Sequence, residues 1–155
     1  MSGWGVMALA ALAGLNPWVV LVIVVGLAAF TRHAPLNQPY SAAATVFGLA
    51  LCAALLGVDV ILSKLKAIAR WLEVVNVPAA AVTGALLPLA LISPTEDLIW
   101  LVLPGMVIAL AARWARLRAV PRLNRWLRPY GHIAASMSAD LLAGVGTAAV
   151  FALKA

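Results

Sequence analysis

Apolar residues in this chain fall in long, nearly unbroken runs separated by short polar connectors. Five such runs stand out: Trp4 to Phe30, Ser41 to Leu62, Val77 to Ile92, Leu98 to Ala115 and His132 to Leu153. A helix needs about 20 apolar residues to cross the hydrocarbon core, with a range of about 17–25. The pattern therefore predicts an all-α integral membrane protein with about five transmembrane helices, in one polytopic domain over residues 1–155. Val77 to Ile92 is the short span of the set.

The first segment does not read as a plain span. It covers 27 residues, about 40 Å at 1.5 Å per residue. Gly14-Leu15-Asn16-Pro17 divides it. Pro17 has no N–H for the Ala13 carbonyl, and its ring crowds the preceding turn. Asn16 is a good N-cap and Pro17 a good first helical residue. The expectation is a broken helix or a re-entrant hairpin followed by a span, with a simple proline kink as the plainer alternative. Broken helices mark binding sites in several transporter folds.

Composition removes the soluble alternatives. Of 155 residues 65% are hydrophobic and 10% charged, with mean hydropathy +1.05. Soluble domains are about half apolar and about a quarter charged. A net charge of +6 would suggest nucleic acid in a soluble chain, but here the bases flank apolar runs, so anionic lipid headgroups are the expected counterpart. The single cysteine, Cys52, lies inside an apolar run and reads as filler. No Lys or Arg precedes Arg32, so residues 7–13 lack the basic flank of a signal peptide.

The connectors carry orientation. Lys64, Lys66 and Arg70 follow the second segment; Arg113, Arg116, Arg118, Arg122, Arg125 and Arg128 follow the fourth. The opposite side receives Arg32 and Lys154 with Glu96 and Asp97, nine bases against two. The positive-inside rule puts the basic connectors in the cytoplasm of a bacterial inner membrane. Both connectors read as interfacial amphipathic helices. Ile61, Leu65, Ile68, Leu72 and Val75 form an apolar stripe in the first, with Lys64, Arg70 and Glu73 elsewhere on the wheel. In the second, Arg118, Arg122 and Arg125 oppose Leu117, Val120, Leu123 and Leu127. Arg118, Arg122, Arg125 and Arg128 are candidate contacts for anionic lipid, and a topology anchor is the plainer role. Trp4, Trp71, Trp100, Trp114 and Trp126 fall near predicted membrane edges. Trp18 does not.

Polar residues inside spans are costly and therefore informative. Asp59 lies near the end of the second segment with Lys64 following; Asp140 lies about two turns into the fifth, after Ser136 and Ser138. The two acids could face each other, share an ion, or each take an arginine from a connector. With the break they define a candidate polar intramembrane site: Asn16, Pro17, Asp59, Lys64, Ser136 and Asp140. His33 and His132, near membrane edges, read as plain polar residues rather than metal or pigment ligands. Ser93-Pro94-Thr95-Glu96 has a capping-box pattern, and Asn76-Val77-Pro78 suits a helix start. Ala80 with Gly84, and Gly144 with Ala148, suit close helix packing. There is no phosphate-binding glycine loop, no metal-spaced His/Cys cluster and no Ser/His/Asp set, so neither a cofactor nor an enzyme is expected.

Ala13-Gly14-Leu15-Asn16-Pro17 at the head of a hydrophobic span resembles the start of bacterial membrane proteins grouped as the domain of unknown function 4126 family. Asp59 stands at that family's first acid, Ser63-Lys64 replaces its Asp-Lys pair, Gly84-Ala85-Leu86 matches a Gly-Ala-Leu stretch, and Ser136 to Asp140 matches its last motif. The resemblance implies a compact helical membrane domain and points to the same polar residues. It supplies no substrate.

Five helices with so few polar residues can scarcely enclose a polar path alone. The first expectation is therefore a non-catalytic protein acting within an assembly, as a homo-oligomer or an accessory subunit beside other membrane subunits, in contact with lipid and not with nucleic acid. The alternative is a small oligomeric transporter or channel with its site at the helix break and the intramembrane acids. Lipid or pigment binding along the basic face is a third option.

Overall fold

The computed structural model describes residues 2–31, 36–63, 65–92, 98–126 and 130–153. These form six α-helices: α1 Gly3–Leu15, α2 Pro17–Phe30, α3 Val46–Ser63, α4 Lys66–Leu91, α5 Leu98–Trp126 and α6 Gly131–Ala152. A short 3-10 turn, Tyr40–Ala43, precedes α3, and no strand occurs among the described residues. Lipid offers no hydrogen bonds to the backbone, so a chain this apolar must satisfy its N–H and C=O groups within helices. Four stretches are long and apolar enough to cross a membrane: Val46–Ser63, Trp71–Leu91, Trp100–Arg122 and Ile133–Ala152.

The first apolar segment is two helices. Of the readings drawn from Asn16-Pro17, a simple kink is replaced by a break: Asn16 has extended backbone (φ −149°, ψ 105°) and belongs to neither helix. α1 has 13 residues and α2 has 14, about 20 Å each, against a hydrocarbon core of about 30 Å.

Helix boundaries elsewhere differ from the sequence reading in one instructive way. Both basic stretches are helical, but each continues a longer helix: Glu73 lies on α4, which runs on to Leu91, and Arg113 to Arg125 lie on α5, which starts at Leu98. Asn76-Val77-Pro78 is accordingly not a helix start, because α4 begins at Lys66. Residues 66–75 are mostly strong helix formers, and Pro78 inside the helix removes one backbone bond that a packed bundle tolerates. Lys64, His33, Arg128 and the Ser93–Glu96 capping box lie outside the described residues, as does the side chain of His132.

α1 is the central helix. Val6, Leu9, Ala10, Ala13 and Gly14 are buried, and α1 packs on α4, α5 and α6 while α2 packs on α3 and α6. Val20 and Val24 of α2, Leu87 and Leu91 of α4, and Ala143 and Phe151 of α6 complete the core. Between apolar helices in lipid the attraction is van der Waals packing, which small residues strengthen by letting backbones approach. Ala109 of α5 is the focus of that approach. A Cβ at Gly14 would overlap the Ala109 carbonyl, and one at Gly84 would stand 2.6 Å from both the Ala109 Cβ and the Gly105 oxygen. Asn37 closes the far end of α4: its N–H donates to Ala90 O at 2.8 Å, and its side-chain amide donates to Leu89 O at 3.2 Å and to Ile92 O.

Gly84→Ala should therefore destabilise the protein in detergent by about 1–3 kcal/mol, the usual cost of overpacking. Gly57, where an added Cβ meets nothing within 4 Å, should accept alanine with a gain of about 0.5–1 kcal/mol. Thermal unfolding of the two variants checks both, and equal effects would contradict the packing described.

Candidate functional site

The site grows out of the break. The Asn16 N–H makes the last α1 bond, to Leu12 O at 3.1 Å. Pro17 has no N–H to give. The next two backbone donors, Trp18 N and Val19 N, turn to the Asn16 side-chain oxygen at 3.0 and 3.3 Å. In an uninterrupted helix Val19 N–H would bond Leu15 O, four residues back. Leu15 O is thereby released, and both Arg113 and Arg116 of α5 donate to it. Two cations so placed also complement the negative end of the α1 dipole. Arg113 is buried, with its side chain 1% exposed, and forms an ion pair with Glu73 of α4. Arg116 lies 4.0 Å from the other Glu73 oxygen.

Because the Asn16 oxygen faces backbone donors, its NH₂ must face acceptors. It donates to Asp140 Oδ1 at 2.9 Å and to Asp59 Oδ2 at 3.3 Å. The second Asp59 oxygen accepts from Asn76 Nδ2 at 2.7 Å, and the Asn76 oxygen accepts from the indole N–H of Trp18 at 3.0 Å. The result is a continuous polar chain, Trp18–Asn76–Asp59–Asn16–Asp140, drawn from α2, α4, α3, the break and α6. Asn16 and Asp59 are buried, as is Asn76. Neither Asp59 nor Asp140 has an ion pair among the described residues.

Of the residues expected from sequence, Asn16, Asp59 and Asp140 meet directly, with Pro17 buried beside them. Ser136 lies next to the cluster, its Oγ 3.4 Å from that of Ser63. Lys64 is outside the described residues. Among the described residues neither acid takes an arginine directly; an asparagine links the two instead. Five further residues were not read as site residues: Trp18, Asn76, Glu73, Arg113 and Arg116. Trp18 had a signal, since it alone among the tryptophans avoided the membrane edges. Glu73 and the two arginines sit in the basic connectors by sequence, and only helix packing turns them inward. Arg118, Arg122 and Arg125 are exposed near the end of α5, with the Arg118 guanidinium 3.4 Å from the centre of the Trp114 ring. Among the described residues no group of three or more His, Cys, Asp or Glu side chains could hold a metal ion.

Four apolar helices of spanning length and a broken helix joined to two acids and a second amide define a multi-pass α-helical membrane protein with a polar intramembrane cluster. Residues 5–154 match the family described as domain of unknown function (DUF4126), and the chain belongs to that family. No curated protein and no solved structure matches it.

Asn16→Ala should cost more than a cap, which contributes about 0.5–2 kcal/mol, because it also orphans buried acceptors at about 1–3 kcal/mol. Asn16→Ser, which keeps a capping oxygen, should fall between the parent and Asn16→Ala in thermal unfolding. Glu73→Gln should destabilise by less than Arg113→Met, because losing Arg113 leaves both Leu15 O and Glu73 without it. Breaking a buried pair costs about 3–5 kcal/mol, and with Glu73 31% exposed the low end is expected. A double-mutant cycle in detergent checks the coupling.

Proposed function

We propose that this protein is a small oligomeric transporter or channel of the bacterial cytoplasmic membrane, in which Asp59 and Asp140, held together by the Asn16 amide, bind a small cation, a proton included. The observation that carries this reading is the sharing of one amide by two carboxylates at a helix break, with no ion pair to either acid among the described residues. Buried charge in a lipid-surrounded bundle is costly unless neutralised, and a mobile cation supplies the missing charge. Discontinuous helices with exposed backbone ends are the usual framework for such sites. Glu73 is shared by Arg113 and Arg116 beside the site, and neither arginine forms an ion pair with Asp59 or Asp140 among the described residues.

The basic stretches orient the molecule with residues 64–70 and 113–128 in the cytoplasm, by the positive-inside rule. Arg118, Arg122 and Arg125 then meet anionic headgroups. Assembly with further subunits, the alternative role, has its own support: α3 buries only Asp59, and its Phe47 is 80% and its Ile61 66% accessible, a surface for lipid, a second copy or a partner. No enzymatic activity is proposed.

The test is cation-dependent stabilisation. Purified protein should gain thermal stability as Na⁺, K⁺ or H⁺ replaces choline at constant ionic strength, by about 2.7 kcal/mol at a hundredfold excess over Kd. Asp59→Asn and Asp140→Asn should each abolish the dependence. Variants that fold and respond as the parent does remove the basis of the transport reading. Recovery of a stable heteromeric complex from membranes, with no cation response, favours the accessory role.

A further inference from the structure

The surroundings of the polar cluster are asymmetric along the bundle. Towards one end, each of four helices carries a second polar residue one turn beyond a first: Ser63 after Asp59 on α3, Glu73 before Asn76 on α4, Arg116 after Arg113 on α5, and Ser136 before Asp140 on α6. All four steps lead to the same end, where α3 finishes, α4 begins, α5 finishes and α6 begins. Three- and four-residue steps keep these residues on the inward faces of their helices. Towards the other end α4 and α6 offer mainly apolar side chains: Leu87 and Leu91 on α4, Ala143 and Phe151 on α6, with Val20 and Val24 of α2 between them; the buried Thr147 hydroxyl there bonds Ala143 O of its own helix.

A cavity occupies the polar side. Its lining is mostly polar, Asp59, Ser63, Glu73, Asn76, Arg116 and Ser136, with Leu72 and Val120 beside them, and its volume is about 20 Å³. A water needs upward of about 10–15 Å³ and two to four polar partners, and this cavity offers both. One lining group calls for a water: the Arg116 Nε is buried and has no hydrogen-bond partner among the described residues. Leaving such a charged donor unsatisfied costs more than leaving a neutral one. The Ser63 hydroxyl donates to Val60 O at 3.0 Å and lies 3.4 Å from that of Ser136; each hydroxyl oxygen has acceptor lone pairs, so the two extend a hydrated path between α3 and α6.

We infer that this cavity is a hydrated access route through which water and small cations reach Asp59 from the end of the bundle bearing residues 113–126, the apolar core closing the opposite end. The use of the route rests on the cation-site reading above, but its existence does not. Single cysteines placed by Ser63→Cys and Ser136→Cys in a Cys52→Ala background test it directly. Ag⁺, an ion small enough to follow water, is applied to each face of oriented vesicles holding the full chain. Thiols that escape reaction are counted by maleimide mass labelling after denaturation.

Both cysteines should react from the face that also exposes Arg125→Cys, at least tenfold faster than from the other face. Thr147→Cys, buried on α6 beyond the site, should stay protected from both. Protection of both Ser63→Cys and Ser136→Cys from either face, or reaction faster from the face opposite Arg125→Cys, would overturn the inference. A loss of cation-dependent stabilisation in Asp59→Asn would stand regardless of that result. Conversely, one-sided silver access would stand even if no cation stabilised the parent, so the two ideas fail separately.

Discussion

The amide side chain of Asn16 ties this molecule together. A helix broken inside lipid must rehouse every backbone bond it gives up, since each orphan costs several kcal/mol there. Pro17 forces the break, and the Asn16 oxygen takes the two freed N–H groups of Trp18 and Val19. That choice strands the Leu15 carbonyl, which two arginines then claim. Buried arginines demand a counter-charge, and Glu73 supplies it. With its oxygen engaged, Asn16 can only turn its NH₂ outward, and two carboxylates meet it. Every helix of the bundle is thus tied, directly or through one partner, to the consequences of one proline.

Packing makes this arrangement reachable. Arg113 stands next to Leu15 only because α1 and α5 cross closely, and they do so where Gly14 faces Ala109 and Ala112 with no room for a methyl group. Gly84 brings α4 against the same stretch of α5, which sets Glu73 at the height of Arg113. Short side chains thus do two things at once in lipid: they gain dispersion contact, and they fix the register at which long polar side chains meet. Buried polar networks add little net stability against an apolar isostere. What this one adds is a geometry in which two acids are held near each other with no ion pair to either among the described residues.

The cluster also divides the bundle into unlike halves. Polar residues continue for one more turn towards the ends rich in arginine and lysine, and apolar side chains fill the opposite side. The division sits on the axis along which any membrane transport must run, which connects the packing of four helices to the direction from which a ligand would arrive.

Much of this was legible without coordinates. Hydropathy alone determines that the solvent is lipid, that the chain is helical, and roughly where the helices lie, because runs of 16 to 27 residues leave no other way to satisfy the backbone. Asn16-Pro17, Asp59 and Asp140 announce themselves as well, since polar groups in such runs are rare and costly. Trp18 could have been noticed as the tryptophan away from the edges. The fate of the connectors was not legible. Glu73, Asn76, Arg113 and Arg116 sit in sequence that reads equally as surface helix, and local pattern says nothing about how far a helix continues into the bundle or which neighbour it meets. Tertiary structure alone decided that these residues turn inward, because their burial depends on carbonyls and carboxylates brought from helices 17 to about 100 residues away. The sequence by itself determined the solvent, the helices and the break; packing decided what the break is bonded to.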